Sequence, residues 1–79
     1  LKAAYVALQL RRFEQALARF QDLQERIPEL TEAWFGTVAT LIHAERTDDA
    51  RAALERLAQR PDADPRRLAQ LTESLGAKR

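Results

Sequence analysis

Cysteine and methionine are both absent from the 79-residue chain, and glycine and proline are scarce, with two and three residues respectively. Without cysteine, disulfide bridges and thiolate metal sites are excluded, and the redox compartment is not revealed. Few helix-breaking residues, in a composition dominated by Ala, Leu, Arg, Gln and Glu, favour α-helix. No apolar run of the sequence is long enough to cross a bilayer. These absences predict a small helical domain without direct membrane insertion.

Charge is nearly balanced, with 13 basic residues, 12 acidic residues and a net charge of +1. This balance argues against a protein that binds nucleic acid by electrostatics, so we expect no nucleic-acid partner. The hydrophobic content of 46% and the charged content of 32% are typical of a folded chain. A chain of this length forms one small domain, and we expect its stability to be marginal.

Apolar residues at helical spacing predict five helices, and no segment alternates with the period of two that indicates a strand. The first predicted helix covers about 1–10. The second covers about 13–26 and stops before Pro28, because proline lacks an N–H and disfavours helix in the preceding residue. Thr31 is the predicted N-cap of the third helix, which runs to about residue 45.

The last two predicted helices have clear start signals. Thr47 is the predicted N-cap of the fourth helix, which ends before Pro61. The fifth helix has Asp64 as its predicted N-cap and Pro65 at its first position, where the missing N–H costs nothing. Gly76 is predicted to close this helix.

A period of 34 residues relates two parts of the chain. The residues around Ala16 and Ala50 line up at this offset, in the pairs Leu8 and Ile42, Phe13 and Thr47, Ala16 and Ala50, Phe20 and Leu54, and Leu23 and Leu57. Such a period over helical patterns predicts a solenoid of helix pairs, in which each pair buries its apolar face against a neighbour. The two alanines are small where the helices of one pair must approach closely.

The repeated pattern resembles the tetratricopeptide repeat family, whose signature is Trp-x2-Leu-Gly-x2-Tyr, then Ala-x3-Phe and a late Pro. The first unit keeps the second half of this pattern in Phe13, Ala16, Phe20, Leu23 and Pro28, and the second unit keeps Trp34, Ala50 and Leu57. The second unit departs from it at Thr37, Val38, Leu41 and Leu54, and its Pro61 comes one residue early.

This resemblance implies an all-α fold, a right-handed superhelical α-solenoid of antiparallel helix pairs with about five helices. The whole chain, 1–79, would be one such domain. Residues 1–30 would form a first repeat that is truncated at its N-terminus, and 31–64 would form a second repeat. Residues 65–79 would form either the first helix of a third repeat or a capping helix.

The resemblance also implies a binding face, because the first helix of each unit lines the concave side in this family. The family's groove positions fall on Tyr5, Leu8, Gln9 and Arg12, then on Phe35, Ala39, Ile42, His43 and Arg46, and finally on Arg66, Ala69 and Glu73. We expect an apolar middle formed by Tyr5, Phe35 and Ile42, with a basic edge formed by Arg12 and Arg46. Exposed aromatic and Arg side chains are typical of binding hot spots.

The family's Lys and Asn clamp for C-terminal carboxylates is absent here, because Phe35 and Ala39 stand at matching positions. A partner peptide or amphipathic helix with some acidic residues fits these positions better. Flanking repeats of the parent chain, or a second copy in a homo-oligomer, are the alternative occupants. Trp34, the only tryptophan, is expected to pack in the core between units.

Catalytic, metal and cofactor chemistry are not expected. His43 is the only histidine, and no second His or Cys stands at ligand spacing. Phosphate-binding and nucleophile motifs are missing from the sequence. We interpret Glu32 as part of a solvated acidic edge with Glu25 and Glu29, and the pair Arg66-Arg67 as surface salt-bridge partners. The sequence therefore predicts no enzyme, no metal site and no cofactor.

The leading functional hypothesis is a protein-interaction module or scaffold, part of a larger assembly or secretion-related protein of bacterial origin. A structural spacer or homodimerisation segment, and the sensor part of a regulatory protein, remain open alternatives. The chain begins with Leu1 in the middle of a helical pattern, so we expect a piece of a longer protein. Its location, cytoplasmic or periplasmic, cannot be read from these residues.

Overall fold

The computed structural model describes residues 1–77, and this range contains five α-helices and no strand. The helices are α1 (Lys2–Gln9), α2 (Phe13–Arg26), α3 (Thr31–His43), α4 (Thr47–Ala58) and α5 (Pro65–Ala77). The prediction of five helices and an all-α fold is confirmed.

The helix starts differ in detail from the prediction. Asp64 caps α5 as expected, because its Oδ1 accepts a hydrogen bond from the backbone N–H of Arg66 at 2.9 Å. The predictions for α3 and α4 are wrong, since Thr31 and Thr47 are the first helical residues and neither start has a side-chain cap. Thr31 Oγ1 instead donates a hydrogen bond to Asp62 Oδ2 at 2.5 Å, which joins the start of α3 to the loop between α4 and α5.

The end of α5 also differs from the prediction. Gly76 lies within α5, which continues to Ala77, so this glycine does not close the helix. Its backbone has no positive φ angle, which the expected C-terminal cap would require. The segment after Ala77 lies outside the described residues.

The helices form two layers. In the first layer, α1 and α5 lie against α3, which contacts each of the other four helices. In the second layer, no Cα atom of α2 (13–26) lies within 8 Å of a Cα atom of α4 (47–58). The central place of α3 agrees with its composition, because most of its residues between Ala33 and Ile42 are buried.

Buried side chains form two adjoining clusters. The smaller lies between α1 and α2 and includes Ala4, Ala7, Ala16 and Phe20, with Ala16 and Phe20 fully buried. The larger gathers side chains from α2, α3, α4 and α5, namely Leu17, Phe35, Val38, Leu41, Ile42, Ala50, Leu57 and Leu75. Ala16 and Ala50, which the 34-residue period pairs, are both at 0% exposure, as close helix packing requires.

The 34-residue period reappears in the backbone of two loops. Arg11 and Glu45 adopt left-handed conformations, with φ angles of 59° and 62°. The N–H of Arg12 donates to the carbonyl of Ala7, and the N–H of Arg46 donates to the carbonyl of Leu41, each at 2.9 Å. These bonds close the first helix of each pair in the same way. The two helix pairs therefore share one loop geometry.

None of the helices over residues 1–77 has the length and apolar character that crossing a membrane would require.

Candidate functional site

The surface of α1, α3 and α5, here called the inner face, is tied together by one hydrogen-bonded network. The Tyr5 hydroxyl of α1 donates a hydrogen bond to Glu32 Oε2 of α3. Arg67 of α5 donates to both carboxylate oxygens of Glu32, from Nη1 to Oε1 at 2.6 Å and from Nη2 to Oε2 at 2.8 Å. A single carboxylate thus joins three helices that follow one another along the stack. A bidentate pair of this kind also fixes their relative orientation.

The ionisation of this network follows from its contacts. The pKa of Tyr5 is raised to about 12, first by burial and then by the hydrogen bond to the negative Glu32. The hydrogen bond from Arg67 holds the pKa of Glu32 below its ordinary value, although partial burial acts in the opposite direction. The same bond raises the pKa of Arg67. At neutral pH, Tyr5 is therefore neutral while Glu32 and Arg67 are charged.

Two of the expected groove residues are not exposed. Phe35 and Ile42 are each 4% exposed and belong to the larger core cluster. The guanidinium carbon of Arg67 lies 4.0 Å from the centre of the Phe35 ring. The expectation of an exposed apolar middle at these positions is therefore wrong. Its physical reason is α5, which packs on α3 and covers the ring with a cation–π contact.

The two expected basic residues do not lie at the edge of the inner face. Arg46 turns toward the other layer, where its guanidinium pairs with Asp49 of α4 at 2.8 Å and approaches Glu14 of α2 at 3.9 Å. Arg12 lines a groove between α1 and α2 at the N-terminal end of the stack. The structure does not bring Arg12 and Arg46 together with Tyr5, so the predicted basic edge is wrong.

Most other predicted positions remain available on the inner helices. The exposed ones are Gln9, His43, Arg66, Ala69 and Glu73, while Tyr5, Leu8 and Ala39 are half-buried. Tyr5, Ala39 and Glu73 are separated by 34 residues each and occupy equivalent positions of successive inner helices. Between Tyr5 and Glu73 the short side chain of Ala39 leaves little bulk. The accessible part of the predicted site is accordingly polar, with small side chains at Ala39 and Ala69.

Trp34 belongs to the space between units, as predicted. It is half-buried and packs against the larger core cluster. The guanidinium carbon of Arg60 lies 4.9 Å from the centre of the indole. Arg60 also donates from Nη2 to the carbonyl of Pro28 at 2.6 Å, so it attaches the end of α4 to the loop between α2 and α3. This contact covers one face of the tryptophan ring with a charged side chain.

A groove runs over α3 between α2 and α4 on the outer side of the molecule. Its volume is 280 Å³, and residues from all three helices line it, among them Leu17, Gln24, Trp34, Thr37 and Arg56. The Thr37 hydroxyl donates a hydrogen bond to the Gln24 side chain across the floor of this groove. The sequence did not single out these positions as a site.

Glu32 and Arg67 are the inner-face residues that the sequence interpretation missed. Glu32 is half-buried and bonded on both oxygens, so its assignment to a solvated acidic edge is wrong. The assignment of Arg67 to a salt bridge agrees with the structure, but the partner on α3 was not foreseen. One signal was present, because the repeat register places the start of α5 beside the start of α3. Register alone does not say which of two adjacent arginines turns inward.

Side chains that could bind a metal do not cluster in the described residues. Over 1–77, no three or more His, Asp or Glu side chains stand close enough together to hold a metal ion. The inner-face network contains a phenol, a carboxylate and a guanidinium that satisfy one another. The arrangement gives the inner face a hydrogen-bonded, partly charged surface.

Comparison with known proteins gives one match. The family model described as Tetratricopeptide repeat matches residues 7–75, which is most of the chain. Proteins with this repeat typically serve as non-catalytic modules that mediate protein–protein interactions. Among the curated proteins and the solved structures, none matches the chain significantly.

Proposed function

The chain belongs to the tetratricopeptide repeat family, and we propose that it binds a protein partner, a peptide or a helix, on its inner face. The observation that carries the proposal is the network of Tyr5, Glu32 and Arg67, which fixes three helices side by side. A surface held rigid before binding loses less conformational entropy when a partner docks. The partner-binding function and the division into units 1–30, 31–64 and 65–79 are parts of one proposal.

The exposed residues beside the network define the chemistry of the proposed contact. Gln9 and His43 occupy equivalent positions of α1 and α3, and Arg66 and Glu73 add charges of both signs on α5. Ala69 provides a position where a partner side chain can approach the helix closely. We therefore infer a segment that combines hydrogen-bonding groups and charges with small apolar contacts, rather than a strongly hydrophobic one. Buried Phe35 and Ile42 take no direct part in it.

Two matched arginine substitutions test the inner face. Ala69 on α5 and Ala18 on α2 are both exposed alanines inside helices, but only Ala69 lies on the inner face. Arginine retains good helix propensity, so neither change should unfold the protein, and circular dichroism checks this. Partners captured from a cell extract by the unchanged chain and by Ala18→Arg should be lost from Ala69→Arg. A crosslinker placed at His43 should then identify which partner segment contacts the face.

The outcomes separate this function from its alternatives. If Ala69→Arg captures the same partners as the unchanged chain, the inner face is excluded as the binding surface. Capture of the chain's own parent protein alone would favour the homodimerisation or spacer function. No catalytic role is proposed, because the three polar groups of the network, Tyr5, Glu32 and Arg67, are hydrogen-bonded to one another.

A further inference from the structure

The groove on the outer side of the molecule, here called the outer groove, lies between the two helix pairs rather than at an end of the stack. Its lining residues fall between Leu17 and Arg56, so both walls and the floor belong to α2, α3 and α4. Further units would extend the stack at its two ends, and this groove lies between its two units. The outer groove is also separate from the inner face, which α1, α3 and α5 form.

One part of the outer groove is apolar. Leu17 of α2 and Leu41 of α3 line it, together with Ala52 and Ala53 of α4. The alanine side chains are short, so space remains beside the two leucines. The volume of 280 Å³ is close to the lower end for ligand pockets, about 300 Å³. A helix with its side chains is about 10–12 Å across, so this space suits a single side chain of an extended segment better.

The unpaired charge of the outer groove is on Arg56. Arg46 and Asp49 also line the groove, but they pair with each other at 2.8 Å. Among the ion pairs found over residues 1–77, none includes Arg56, which is exposed on α4. A carboxylate of a binding partner would therefore meet a guanidinium that has no competing acidic partner.

Trp34 adds a second unpaired donor near Arg56. Its indole N–H is buried and has no hydrogen-bond acceptor among the described residues, which costs free energy in the folded chain. Arg60, four residues after Arg56, lies 4.9 Å from the centre of the indole ring, so Trp34 lies toward the Arg56 end of the groove. Gln24 lines the groove as well, and its side-chain oxygen accepts from Thr37, which leaves its amide N–H groups as donors. This end of the groove therefore favours an oxygen acceptor.

The spacing of the two parts sets the spacing expected on the ligand. Ala52 and Arg56 are four residues apart on α4, which is about 6 Å along the helix axis. In an extended peptide, side chains i and i+2 point to the same face and lie about 6.6 Å apart. An apolar side chain beside Ala52 therefore places the residue two positions away from it beside Arg56.

We propose that the outer groove binds an extended segment of a protein partner, in which one residue separates an apolar residue from an acidic one. The apolar side chain lies against Leu17 and Ala52, and the carboxylate accepts hydrogen bonds from Arg56. The chain then presents two contact surfaces, one on each layer of helices. Binding at the outer groove does not depend on the function proposed for the inner face.

The probe is the peptide acetyl-Gly-Glu-Ser-Leu-Ser-Glu-Gly-amide, which carries an acid two positions from leucine in either chain direction. Its matched control, acetyl-Gly-Ser-Glu-Leu-Glu-Ser-Gly-amide, has the same composition with both acids next to leucine. Because Trp34 is the only tryptophan, nitrogen-15 NMR shows one indole N–H resonance for the chain, which reports on the groove. The probe should shift this resonance with saturation, and the control should bind about fivefold more weakly.

Two glutamate substitutions on α4 test the location. Ala52 and Ala58 are both exposed, but only Ala52 lines the outer groove. Ala52→Glu should abolish binding of the probe, because the new carboxylate fills the apolar part and can pair with Arg56 at i,i+4 spacing. Ala58→Glu should leave binding unchanged. Circular dichroism should show that both variants remain helical.

A charge exchange tests the acidic contact. Arg56→Glu should weaken binding of the probe about tenfold, since like charges then face each other. The same variant should bind the form of the probe that has lysine in place of both glutamates. Arg51→Glu, an exposed charge change on α4 outside the groove, should have neither effect.

Three results would overturn the proposal. The first is the absence of a saturable shift of the Trp34 resonance up to millimolar concentrations of the probe. The second is equal binding of the probe and its matched control, or binding that Ala52→Glu does not alter. The third is sedimentation of the chain alone as a dimer that Ala52→Glu dissociates, which would assign the groove to a second copy. The inner-face variant Ala69→Arg should bind the probe normally, so the two proposals can fail separately.

Discussion

Glu32 and Arg67 form a bidentate ion pair between α3 and α5, with nitrogen–oxygen distances of 2.6 and 2.8 Å. The pair lies at the inner face, and its guanidinium also covers the ring of Phe35 in the core. The pair therefore couples the placement of the last helix to the shape of the proposed binding surface.

A double-mutant cycle with Arg67→Ala and Glu32→Gln measures this coupling. Both partners are partly exposed, so we expect a coupling free energy of about 1 kcal/mol, at the upper end for surface pairs because the geometry is bidentate. Urea unfolding followed by the fluorescence of Trp34, the only tryptophan, gives the free energies. The exposed pair Arg26 and Asp22, with its nitrogen–oxygen distance of 3.2 Å, is the control. Equal coupling in both pairs would contradict a special role for the α3–α5 pair.

The single tyrosine allows a direct test of the inner-face network. Burial and the bond to Glu32 raise the pKa of Tyr5 to about 12, from an ordinary value of 10.0. Ultraviolet absorbance of the phenolate should therefore show a transition near pH 12 while circular dichroism still reports helix. Glu32→Gln should lower this pKa, since the negative charge is removed. A transition at the ordinary value in the folded chain would show that the hydrogen bond is not maintained in solution.

The same pKa predicts how stability changes at high pH. The folded-state pKa of Tyr5 lies above its unfolded value, so the neutral phenol favours the folded state. This contribution is fully present below about pH 10 and is lost as the pH rises toward 12. Tyr5→Phe should therefore be less sensitive to pH across this window. Chemical unfolding at pH 8 and pH 11 provides the comparison, and identical losses in both proteins would refute the prediction.

Gly36 and Gly76 make a matched pair for testing the close contact between α2 and α3. A Cβ at Gly36 would meet the Phe20 ring at 2.1 Å, and Phe20 is fully buried and cannot move aside. We expect Gly36→Ala to destabilise the fold by about 2 kcal/mol through overpacking. At Gly76 nothing lies within 4 Å of the added Cβ, so Gly76→Ala should have no cost or stabilise by up to about 0.5 kcal/mol. Thermal unfolding of the two variants tests this prediction. Similar changes in stability for Gly36→Ala and Gly76→Ala would exclude the close contact between Gly36 and Phe20.

The helical architecture could be predicted from the sequence, because helical periodicity and the 34-residue offset are both visible without knowledge of tertiary contacts. Ala16 and Ala50 were correctly identified as points of close packing, and both are fully buried. Which residues of the candidate site are exposed depends on the packing of α5 on α3. Helical periodicity does not predict this tertiary contact. For this reason Phe35 and Ile42 were expected at the surface but lie in the core.

Predictions from residue type and repeat register were also wrong where a side chain could bind either of two partners. Thr31 is a good N-cap by type, but its hydroxyl donates a hydrogen bond to Asp62, in the loop after α4, instead. Arg46 occupies a groove position by register, yet carboxylates on α2 and α4 draw it to the opposite layer. The partner of Thr31 lies in the loop after α4, and Glu14 lies on α2, so neighbouring residues do not indicate these two contacts. Asp49, the closer partner of Arg46, is only three residues away and could have been considered from the sequence.

Arg11 and Glu45 offer the last test, because both hold the left-handed conformation at equivalent places in the two loops. A left-handed conformation costs a non-glycine residue roughly 1–2 kcal/mol, and glycine avoids this cost but loses more backbone entropy on folding. Glu45→Gly should therefore stabilise the fold by about 0.5 kcal/mol, whereas Glu45→Val should destabilise it by about 1 kcal/mol or more. Arg11→Gly would also remove a cation–π contact with Phe13, where the two groups lie 5.2 Å apart. Its gain should consequently be smaller than that of Glu45→Gly, and urea unfolding of both variants measures the difference. If Glu45→Gly proves destabilising, the shared loop geometry would not persist in solution.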